Sequence, residues 1–168
     1  MDKIKKYLKN EKGFTLIELL VYIGLLGIFL FTLTNLFVSS IDVRLESEAK
    51  SSVDQDSRYL MTKLRYDIIN ASSIVTPTAP GDNDSSLELV RDGVTYTYSL
   101  LDGDLVLSDA VNSDQINSSR TSVSNINFAR LGNIGGLNTI TITYTLESKI
   151  SRPQGVESRD YAITYAIR

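Results

Sequence analysis

The spacing of hydrophobic residues along this chain changes twice, and each change marks a different kind of structure. Residues 19–41 contain no Asp, Glu, Lys or Arg, and at ~1.5 Å per residue a helix of this length crosses a bilayer core of roughly 30 Å. The following residues keep apolar positions three and four apart, which is typical of a helix with one apolar face. Beyond Pro77 the spacing becomes two, as in strands with one buried face.

The first two patterns together predict a single helix from about Phe14 to Ser73. In its second half, apolar side chains fall on one face, while charged side chains occupy the other faces. These apolar positions are Leu45, Ala49, Val53, Leu60, Leu64, Ile68 and Ala71. We expect this stripe to pack against the rest of the protein. Pro77, Pro80 and Gly81 end the helical pattern and open a polar loop at residues 76–86.

The third pattern predicts an antiparallel sheet with one buried face. Asp-Gly pairs at residues 92–93 and 102–103 are typical of tight turns between paired strands. Residues 108–125 are rich in Ser, Asn and Asp and predict a loop, and the alternating segments 139–147 and 160–167 predict the last strands. The expected fold class is α+β: a long N-terminal helix, with a membrane half and an amphipathic half, packed on an antiparallel β-sheet head.

Charge and composition restrict the function. Residues 1–12 carry five lysines against Asp2 and Glu11, a net of +3, whereas the whole chain is −3, so the remainder sums to −6. A basic segment before an apolar span stays on the cytoplasmic side, which places the acidic remainder outside. An acidic surface argues against nucleic-acid binding through phosphates. The sequence has neither Cys nor His, so it lacks thiolate chemistry and a histidine base, and we expect no enzyme.

A single carboxylate, Glu18, lies at the head of the apolar run. The segment KGFTLIELLVYIGLLGIFLF, residues 12–31, resembles the N-terminus of type IV prepilins and pseudopilins. In that family a short basic leader ends in Gly and is followed by Phe-Thr-Leu-x-Glu and a long apolar segment. The matching positions here are Gly13, Phe14, Thr15, Leu16 and Glu18.

The resemblance implies that a prepilin peptidase cleaves between Gly13 and Phe14 on the cytoplasmic side, and that the new amino group of Phe14 is N-methylated. The apolar segment stays with the mature protein. The resemblance also implies that Glu18 pairs with the N-terminal amine of a neighbouring subunit and so sets the register of assembly, because a lone charge in a bilayer costs several kcal/mol. The residues alone leave open that Glu18 extends to the cytoplasmic interface or pairs with the amine of its own chain.

Three further segments are similar to J-type minor pseudopilins and W-type minor pilins. They are RYLMTKLRYDIINASSIV at residues 58–75, LEL at residues 87–89 and YSLLDGDLVL at residues 98–107. Many major pilins have a helix-bending proline in the span, but this chain has Asn35 in that region and no proline before Pro77. This departure favours a straight anchor helix and a minor subunit over an abundant shaft subunit.

The resemblance therefore implies a structural subunit of a type IV pilus, a type II secretion system or a competence-type filament, with no metal or cofactor. The expected organisation is a leader at 1–13, a transmembrane and assembly helix at 14–41, its amphipathic continuation at 42–75 and the head at 76–168. The implied partners are prepilin peptidase, other pilin or pseudopilin subunits and an inner-membrane assembly platform. The subunit would cross the membrane once, with its head extracytoplasmic, and then join an extracellular or periplasmic filament.

Other interpretations remain open at this stage. A membrane-tethered module for adhesion or DNA capture would use the loops at 76–86 and 108–125. A removable signal peptide, with Val38 and Ser40 at positions −3 and −1 of its cleavage site, would release a soluble domain. A buried core helix would need no membrane. Clustered Asp and Asn at 81–86 and 108–115 are candidate calcium ligands, although neither stretch has EF-hand spacing. Tyrosines at alternating strand positions are typical of cross-strand packing, and they would stack bases or sugars only if they were exposed. They are Tyr96, Tyr98, Tyr144, Tyr161 and Tyr165.

Overall fold

The computed structural model describes residues 13–133 and 135–167, and this part of the chain contains one helix and nine strands. The elements are α1 Leu16–Ile69, β1 Ser73–Thr76, β2 Asn83–Asp84, β3 Leu87–Arg91, β4 Val94–Leu101, β5 Asp104–Ser108, β6 Ser113–Gln115, β7 Thr121–Gly132, β8 Asn138–Ser148 and β9 Ser158–Ala166. Except for Gly13, the predicted leader lies outside the described residues. The chain divides between Ile41 and Asp42 into two compact units.

Helix α1 is continuous through Asn35, but it ends four residues before the predicted Ser73, which already belongs to β1. Asn70 closes the last turn, because both its backbone N–H and its side-chain Nδ2 donate to the carbonyl of Tyr66, at 3.2 and 2.7 Å. Two residues later the N–H of Ser72 donates to the carbonyl of Val90 in β3, at 2.8 Å. Helix α1 ends here because the backbone N–H of Ser72 forms a hydrogen bond with β3 in place of one within the helix.

The strands form two antiparallel sheets instead of the expected one. The first sheet has the order β1-β3-β4-β5-β6, and the second has the order β2-β7-β8-β9. Both predicted Asp-Gly turns are confirmed, with positive φ at both central residues: 53° and 78° at Asp92 and Gly93, and 51° and 84° at Asp102 and Gly103. Such turns match the twist of the strands that they join, and they fix the β3–β4 and β4–β5 registers.

The prediction that residues 108–125 form a loop is wrong in part. Residues 113–115 form β6, whose side chains are all exposed, so a polar composition does not exclude this edge strand. Strand β7 already begins at Thr121, which is buried together with Val123, whereas Ser122 and Ser124 face outward. Polar residues on the outer face of β7 concealed the alternation that marks a half-buried strand.

A one-residue bulge in β7 explains why its buried positions change from odd-numbered to even-numbered residues. Ser124 pairs with Thr145, but Asn127 pairs with Thr143, so β7 contains one residue more than β8 over this stretch. Asn125 is exposed and has a φ of 52°, a left-handed conformation that Asn tolerates better than most residues. The insertion turns Ile126 back toward the core.

One hydrophobic core joins α1 to both sheets. The predicted stripe is confirmed, since Ala49, Val53, Leu60, Leu64 and Ile68 are completely buried, although Leu45 is half-buried. The first sheet contributes Leu87, Leu89, Tyr98 and Leu105, and the second contributes Val123, Ile126, Phe128, Ile140, Ile142, Tyr144 and Leu146. The amphipathic half of α1 therefore covers the apolar faces of both sheets.

The buried carboxylate of Asp67 links α1 to the first sheet through hydrogen bonds. Asp67 is completely buried and accepts hydrogen bonds from Arg91 and from the Tyr98 hydroxyl, and Lys63 lies 3.0 Å from its carboxylate. Burial raises the pKa of Tyr98 above its usual range, so its hydroxyl keeps its proton and donates at physiological pH. Removing either partner would leave a buried polar group unpaired, which makes this contact specific for one docking geometry.

We expect the bulge to be sensitive to the residue at position 125. Asn125→Val should lower the free energy of unfolding by about 1–2 kcal/mol, because a β-branched residue is strained in the left-handed region, whereas Asn125→Gly should change it little. Urea unfolding of the full chain in detergent micelles, followed by tyrosine fluorescence, measures the difference. Ser124→Val is the matched control, since it adds a similar side chain at a regular strand position. Equal stability of the Val and Gly variants at position 125 would contradict the assignment.

Candidate functional site

The apolar segment of α1 is uncovered. Every described residue from Gly13 to Ile41 is exposed, and α1 contains a window of mean hydropathy 2.4, of which 0% is buried. By length and composition α1 can cross a membrane, and its lack of burial separates it from a core helix. A signal sequence near the N-terminus has the same properties. An apolar surface of this extent normally needs lipid or another protein as its cover.

The start of α1 is capped by Thr15. The N–H of Glu18 donates to the Thr15 hydroxyl oxygen at 3.3 Å, and the N–H of Leu19 donates to the Thr15 carbonyl at 3.1 Å. Thr15 is thus the N-cap residue and Glu18 the third residue of the helix. The spacing is that of a Thr-x-x-Glu capping box, of which only the hydrogen bond to the Thr15 hydroxyl is formed among the described residues. The sequence reasoning missed this role of Thr15, although the spacing was visible in the sequence.

The same geometry places Glu18 in the first turn of the helix, where the backbone dipole favours a negative charge. Its side chain is exposed and makes no ion pair with any residue in the described part of the chain. Capping satisfies the backbone N–H of Glu18 and leaves its carboxylate available. A cation outside these residues is therefore needed if the carboxylate is to be neutralised in an apolar environment.

Phe14 lies just before the cap and folds back on the helix. Its ring centroid is 5.6 Å from that of Tyr22, with the ring planes tilted by 58°, and 69% of its surface is exposed. Gly13 precedes it in exposed, non-helical backbone, and no heavy atom lies within 4 Å of a Cβ built there. The structure thus brings Phe14, Thr15 and Glu18 together at the helix start and leaves the Gly13–Phe14 bond accessible.

Two threonine hydroxyls farther along the apolar segment are satisfied by the backbone of the helix. The Thr32 hydroxyl donates to the carbonyl of Phe29 at 2.8 Å, and the Thr34 hydroxyl donates to the carbonyl of Leu30 at 2.8 Å. Neither hydroxyl therefore needs water. At Gly24 and Gly27 no heavy atom lies within 4 Å of an added Cβ, so another helix can approach the backbone closely there.

The acidic loops are organised by their own backbone. Asp84 accepts from the Ser86 N–H at 2.9 Å, and this hydrogen bond is the main cause that lowers the pKa of Asp84. The N–H groups of Asn112 and Val111 lower the pKa of Asp109 in the same way. These are turn contacts. Within residues 13–133 and 135–167, no group of three or more Asp, Glu, His or Cys side chains is placed to hold a metal ion.

The loop at 76–86 is also tied to the second sheet. The guanidinium of Arg130 donates to the carbonyls of Ile74, Pro77 and Thr78, at 3.2, 2.9 and 2.9 Å. Because these groups bind one another, this part of the loop is held against β7 and does not form an open binding site.

The tyrosine ladder lies largely inside the protein. Tyr98 and Tyr144 are buried, so they cannot stack on an external base or sugar. The ring of Tyr144 stacks on Tyr161, with the centroids 5.2 Å apart, and the hydroxyl of Tyr165 donates to the carbonyl of Met61 in α1 at 3.2 Å. These tyrosines pack the sheets against the helix, as the alternating positions predict, and the alternative of an exposed ladder is wrong for the two buried rings.

The cap at Thr15 can be tested by hydrogen exchange. Thr15→Ala should expose the Glu18 amide and lower the stability of the first turn by about 1 kcal/mol, which is about a fivefold loss of protection. Amide exchange of the full chain in micelles, read by NMR, measures this change. Thr15→Ser keeps the hydroxyl and is the control that should retain protection. The capping assignment fails if the Ala and Ser variants exchange at the same rate.

Comparison with known families agrees with this geometry. Residues 8–34 match the family model of the prokaryotic N-terminal methylation motif. No curated protein and no solved structure matches the chain. The matched segment contains the capped helix start and much of the uncovered apolar helix, and it implies processing by prepilin peptidase and assembly with other pilin subunits. The motif and the helix together support a type IV pilin-like subunit with an N-terminal apolar anchor.

Proposed function

We propose that this protein is a minor pilin or pseudopilin, a structural subunit of a type IV pilus, a type II secretion filament or a competence-type filament. The observation that carries the proposal is the uncovered apolar half of α1, most of which lies within the methylation motif and which has one unpaired carboxylate at its capped start. This helix anchors the subunit in the membrane before assembly. In the filament, helices of other subunits then replace the lipid around it.

Processing prepares the helix start for assembly. Prepilin peptidase cleaves the accessible Gly13–Phe14 bond on the cytoplasmic side and removes the lysine-rich leader, after which the amine of Phe14 is methylated. Cleavage places a positive amine immediately before the Thr15 cap, four residues from Glu18. The compact unit that begins at Asp42, which contains the amphipathic half of α1 and the head, lies on the extracytoplasmic side because the basic segment holds the N-terminus inside.

Glu18 sets the register of each added subunit. In an apolar filament interior, an isolated carboxylate and an isolated amine would each cost several kcal/mol. The carboxylate of one subunit and the Phe14 amine of its neighbour neutralise each other at one axial offset, so offsets that leave them apart are disfavoured. The amine of the same chain competes for Glu18, and assembly exchanges that intrachain contact for one between subunits.

Packing of apolar helices supplies the remaining contacts. Lipid tails are as apolar as leucine, so helices associate in a membrane through close packing more than through burial from water. Gly24 and Gly27 present open backbone for such packing. The absence of a proline before Pro77 and the segments that are similar to J-type and W-type subunits support a minor subunit. Its partners are other pilin-like subunits and an inner-membrane assembly platform.

Mass analysis of the N-terminus tests the processing step. Protein recovered from its native membrane should begin at Phe14 and carry one methyl group. Gly13→Val should block cleavage and leave the chain starting at Met1, because the bulkier side chain no longer fits a peptidase that selects Gly, whereas Lys12→Ala should be cleaved normally. A start near Ile41 would instead indicate a secreted domain, and an intact Met1 in the wild type would indicate a plain membrane tether.

Substitution of Glu18 tests assembly. Glu18→Ala should still be inserted and cleaved, but its incorporation into filaments should fall by about tenfold or more, since the neighbouring amine loses its counter-charge. Glu18→Gln isolates the charge, because the amide has nearly the same shape and leaves the Thr15 cap intact but carries no charge.

Co-sedimentation with filaments is the readout, and Glu18→Asp, which keeps the charge, is the control. Loss of incorporation in Gln as well as in Ala supports charge pairing. Normal incorporation of Glu18→Gln would show that assembly does not need the charge of Glu18. Normal incorporation of Glu18→Ala would contradict the assembly role altogether and favour a tethered binding module.

A further inference from the structure

Strand β9 forms one edge of the second sheet and is much longer than the other edge strands. It has nine residues, whereas β1, β2 and β6 have four, two and three. Its register with β8 is regular, and residues 158–166 contain neither Pro nor Lys. Proteins commonly block long edges with these residues, with bulges or with a covering segment. The edge of β9 carries none of the first two kinds of block.

The backbone groups at this edge belong to the even-numbered residues. At the two ends of β9, the N–H of Ser148 donates to the carbonyl of Glu157 at 2.8 Å, and the N–H of Ile167 donates to the carbonyl of Asn138 at 3.0 Å. Odd-numbered residues therefore direct their N–H and C=O groups toward β8, and even-numbered residues direct theirs away from it. No other strand of the described residues pairs with this side. The even-numbered residues are all exposed; they are Ser158, Asp160, Ala162, Thr164 and Ala166.

The inward side chains of β9 are apolar and only half covered. Tyr161, Ile163 and Tyr165 pack against the core, but each remains half-buried. We call these three side chains the inner row. A strand added beside β9 would place every second side chain next to the inner row and extend the apolar face of the sheet. The edge therefore suits an extended segment whose apolar residues alternate with other residues.

Helix α1 runs beside the inner row. The carboxylate of Asp54 lies 2.6 Å from the guanidinium of Arg159, and the carbonyl of Met61 accepts a hydrogen bond from the Tyr165 hydroxyl at 3.2 Å. Positions 54, 58, 61 and 65 are four, three and four residues apart, so they lie along one side of the helix. Positions 58 and 65 therefore lie on the side of α1 that meets β9.

These two positions carry cations, Arg58 and Arg65. Both residues are exposed, and neither makes an ion pair within residues 13–133 and 135–167. Burial raises the pKa of Tyr165, and the nearby charge of Arg65 partly offsets this rise. A carboxylate on the inner face of an added strand would meet these cations, because opposite charges on neighbouring elements attract.

We propose that the free edge of β9 binds an extended segment of a different protein as an additional antiparallel strand. The segment has apolar side chains at alternate positions and a carboxylate among them. Backbone hydrogen bonds supply affinity, while the inner row and the cations of α1 select the side chains. This peptide-binding edge goes beyond the proposed function, since it uses the head and not the apolar half of α1.

A second copy of this chain matches the edge less well than such a segment. Its other edge strands have at most four residues and cannot cover the nine of β9. Its own β9 brings no carboxylate to the inner face, where its charged side chain is Arg159, and this cation would repel Arg58 and Arg65. Charge complementarity therefore favours a partner of different sequence.

Binding of a synthetic peptide tests the proposal. The probe has the length of β9, with valine and threonine in alternation and glutamate in place of the central valine. Its fluorescence anisotropy is measured with the full chain in detergent micelles, and empty micelles are the blank. The same peptide with lysine in place of glutamate should bind about tenfold more weakly or worse. A scrambled peptide of the same composition should not bind, because its apolar residues no longer alternate.

Methylated peptides test the backbone pairing. In an antiparallel pair, residues that are directly opposite have side chains on the same face of the sheet. With its valines inward, the peptide therefore pairs with β9 through the N–H groups of its threonines. Methylation of the threonine nitrogens should abolish binding, whereas methylation of the valine nitrogens, which point away from β9, should not. Equal affinity of the two methylated peptides would overturn the proposal.

A proline at the free edge tests the same pairing from the side of the protein. Ala162→Pro removes an N–H that points away from β8, so it leaves the ladder between β8 and β9 intact. It should weaken binding of the glutamate peptide by about tenfold or more. Ala162→Ser is the matched control, since it keeps the N–H and should bind normally. Circular dichroism checks that both variants keep the fold.

Reversal of one charge tests the selection of side chains without touching the edge. Arg65→Glu should reverse the preference, so that the lysine peptide binds more tightly than the glutamate peptide. Arg44→Glu is the control, because Arg44 is an exposed cation of the same helix, about 30 Å away at ~1.5 Å per residue. It should leave the preference unchanged. An unchanged preference in Arg65→Glu would remove the carboxylate from the proposal.

Two further results would overturn the proposal as a whole. One is failure of the wild-type chain to bind the glutamate peptide. The other is a link between two chains that carry Ala162→Cys after oxidation in the membrane, because the edge would then be occupied by a second copy; the chain has no other cysteine to link. Neither result depends on cleavage at Gly13 or on the charge of Glu18, so the proposed function is tested separately.

Discussion

The apolar stripe of α1 is the surface on which both sheets of the head depend. Each sheet has one apolar face, and burying it contributes about 25 cal/mol per Å² of surface removed from water. The stripe from Ala49 to Ile68 covers the two faces together, so helix and strands share one core. Carboxylates then fix the fit: Asp56 accepts from the N–H and hydroxyl of Ser118 at 2.9 and 2.7 Å, and Asp54 lies 2.6 Å from Arg159.

The same helix serves two environments because its sequence changes character near Ile41. Before this residue every side chain of the described helix is exposed, and after it the buried apolar residues lie on one face, while Val43, Tyr59 and Tyr66 stay exposed. Apolar surface without a cover must be covered by lipid or by other helices, whereas a one-sided stripe can be covered by a domain. An uncovered apolar segment and a folded domain attached to the same helix are consequences of this single change.

Several features of the head could not be read from local patterns. The division into two sheets depends on which strands pair over long distances, and hydrophobic spacing carries no information on pairing. Strand β6 has no buried side chain, so it leaves no alternation in the sequence. At the start of β7 the outward residues are polar, so the alternation of Thr121 to Ser124 resembles a loop, and the bulge at Asn125 then shifts the alternation by one residue. Asp67 looks like one charge among many on the helix until Arg91 and Tyr98 surround it.

The sequence by itself determined the long helix, its apolar and amphipathic halves, the two Asp-Gly turns and the candidate segment at Gly13, Phe14 and Glu18. These features follow from periodicity, turn chemistry and a short motif, all of which act between neighbours in the chain. Tertiary structure decided where α1 ends, how the strands divide between sheets and which tyrosines are buried. It also decided which charges of α1 remain free, because a charge is neutralised by residues that only folding brings near, as Arg159 is brought to Asp54.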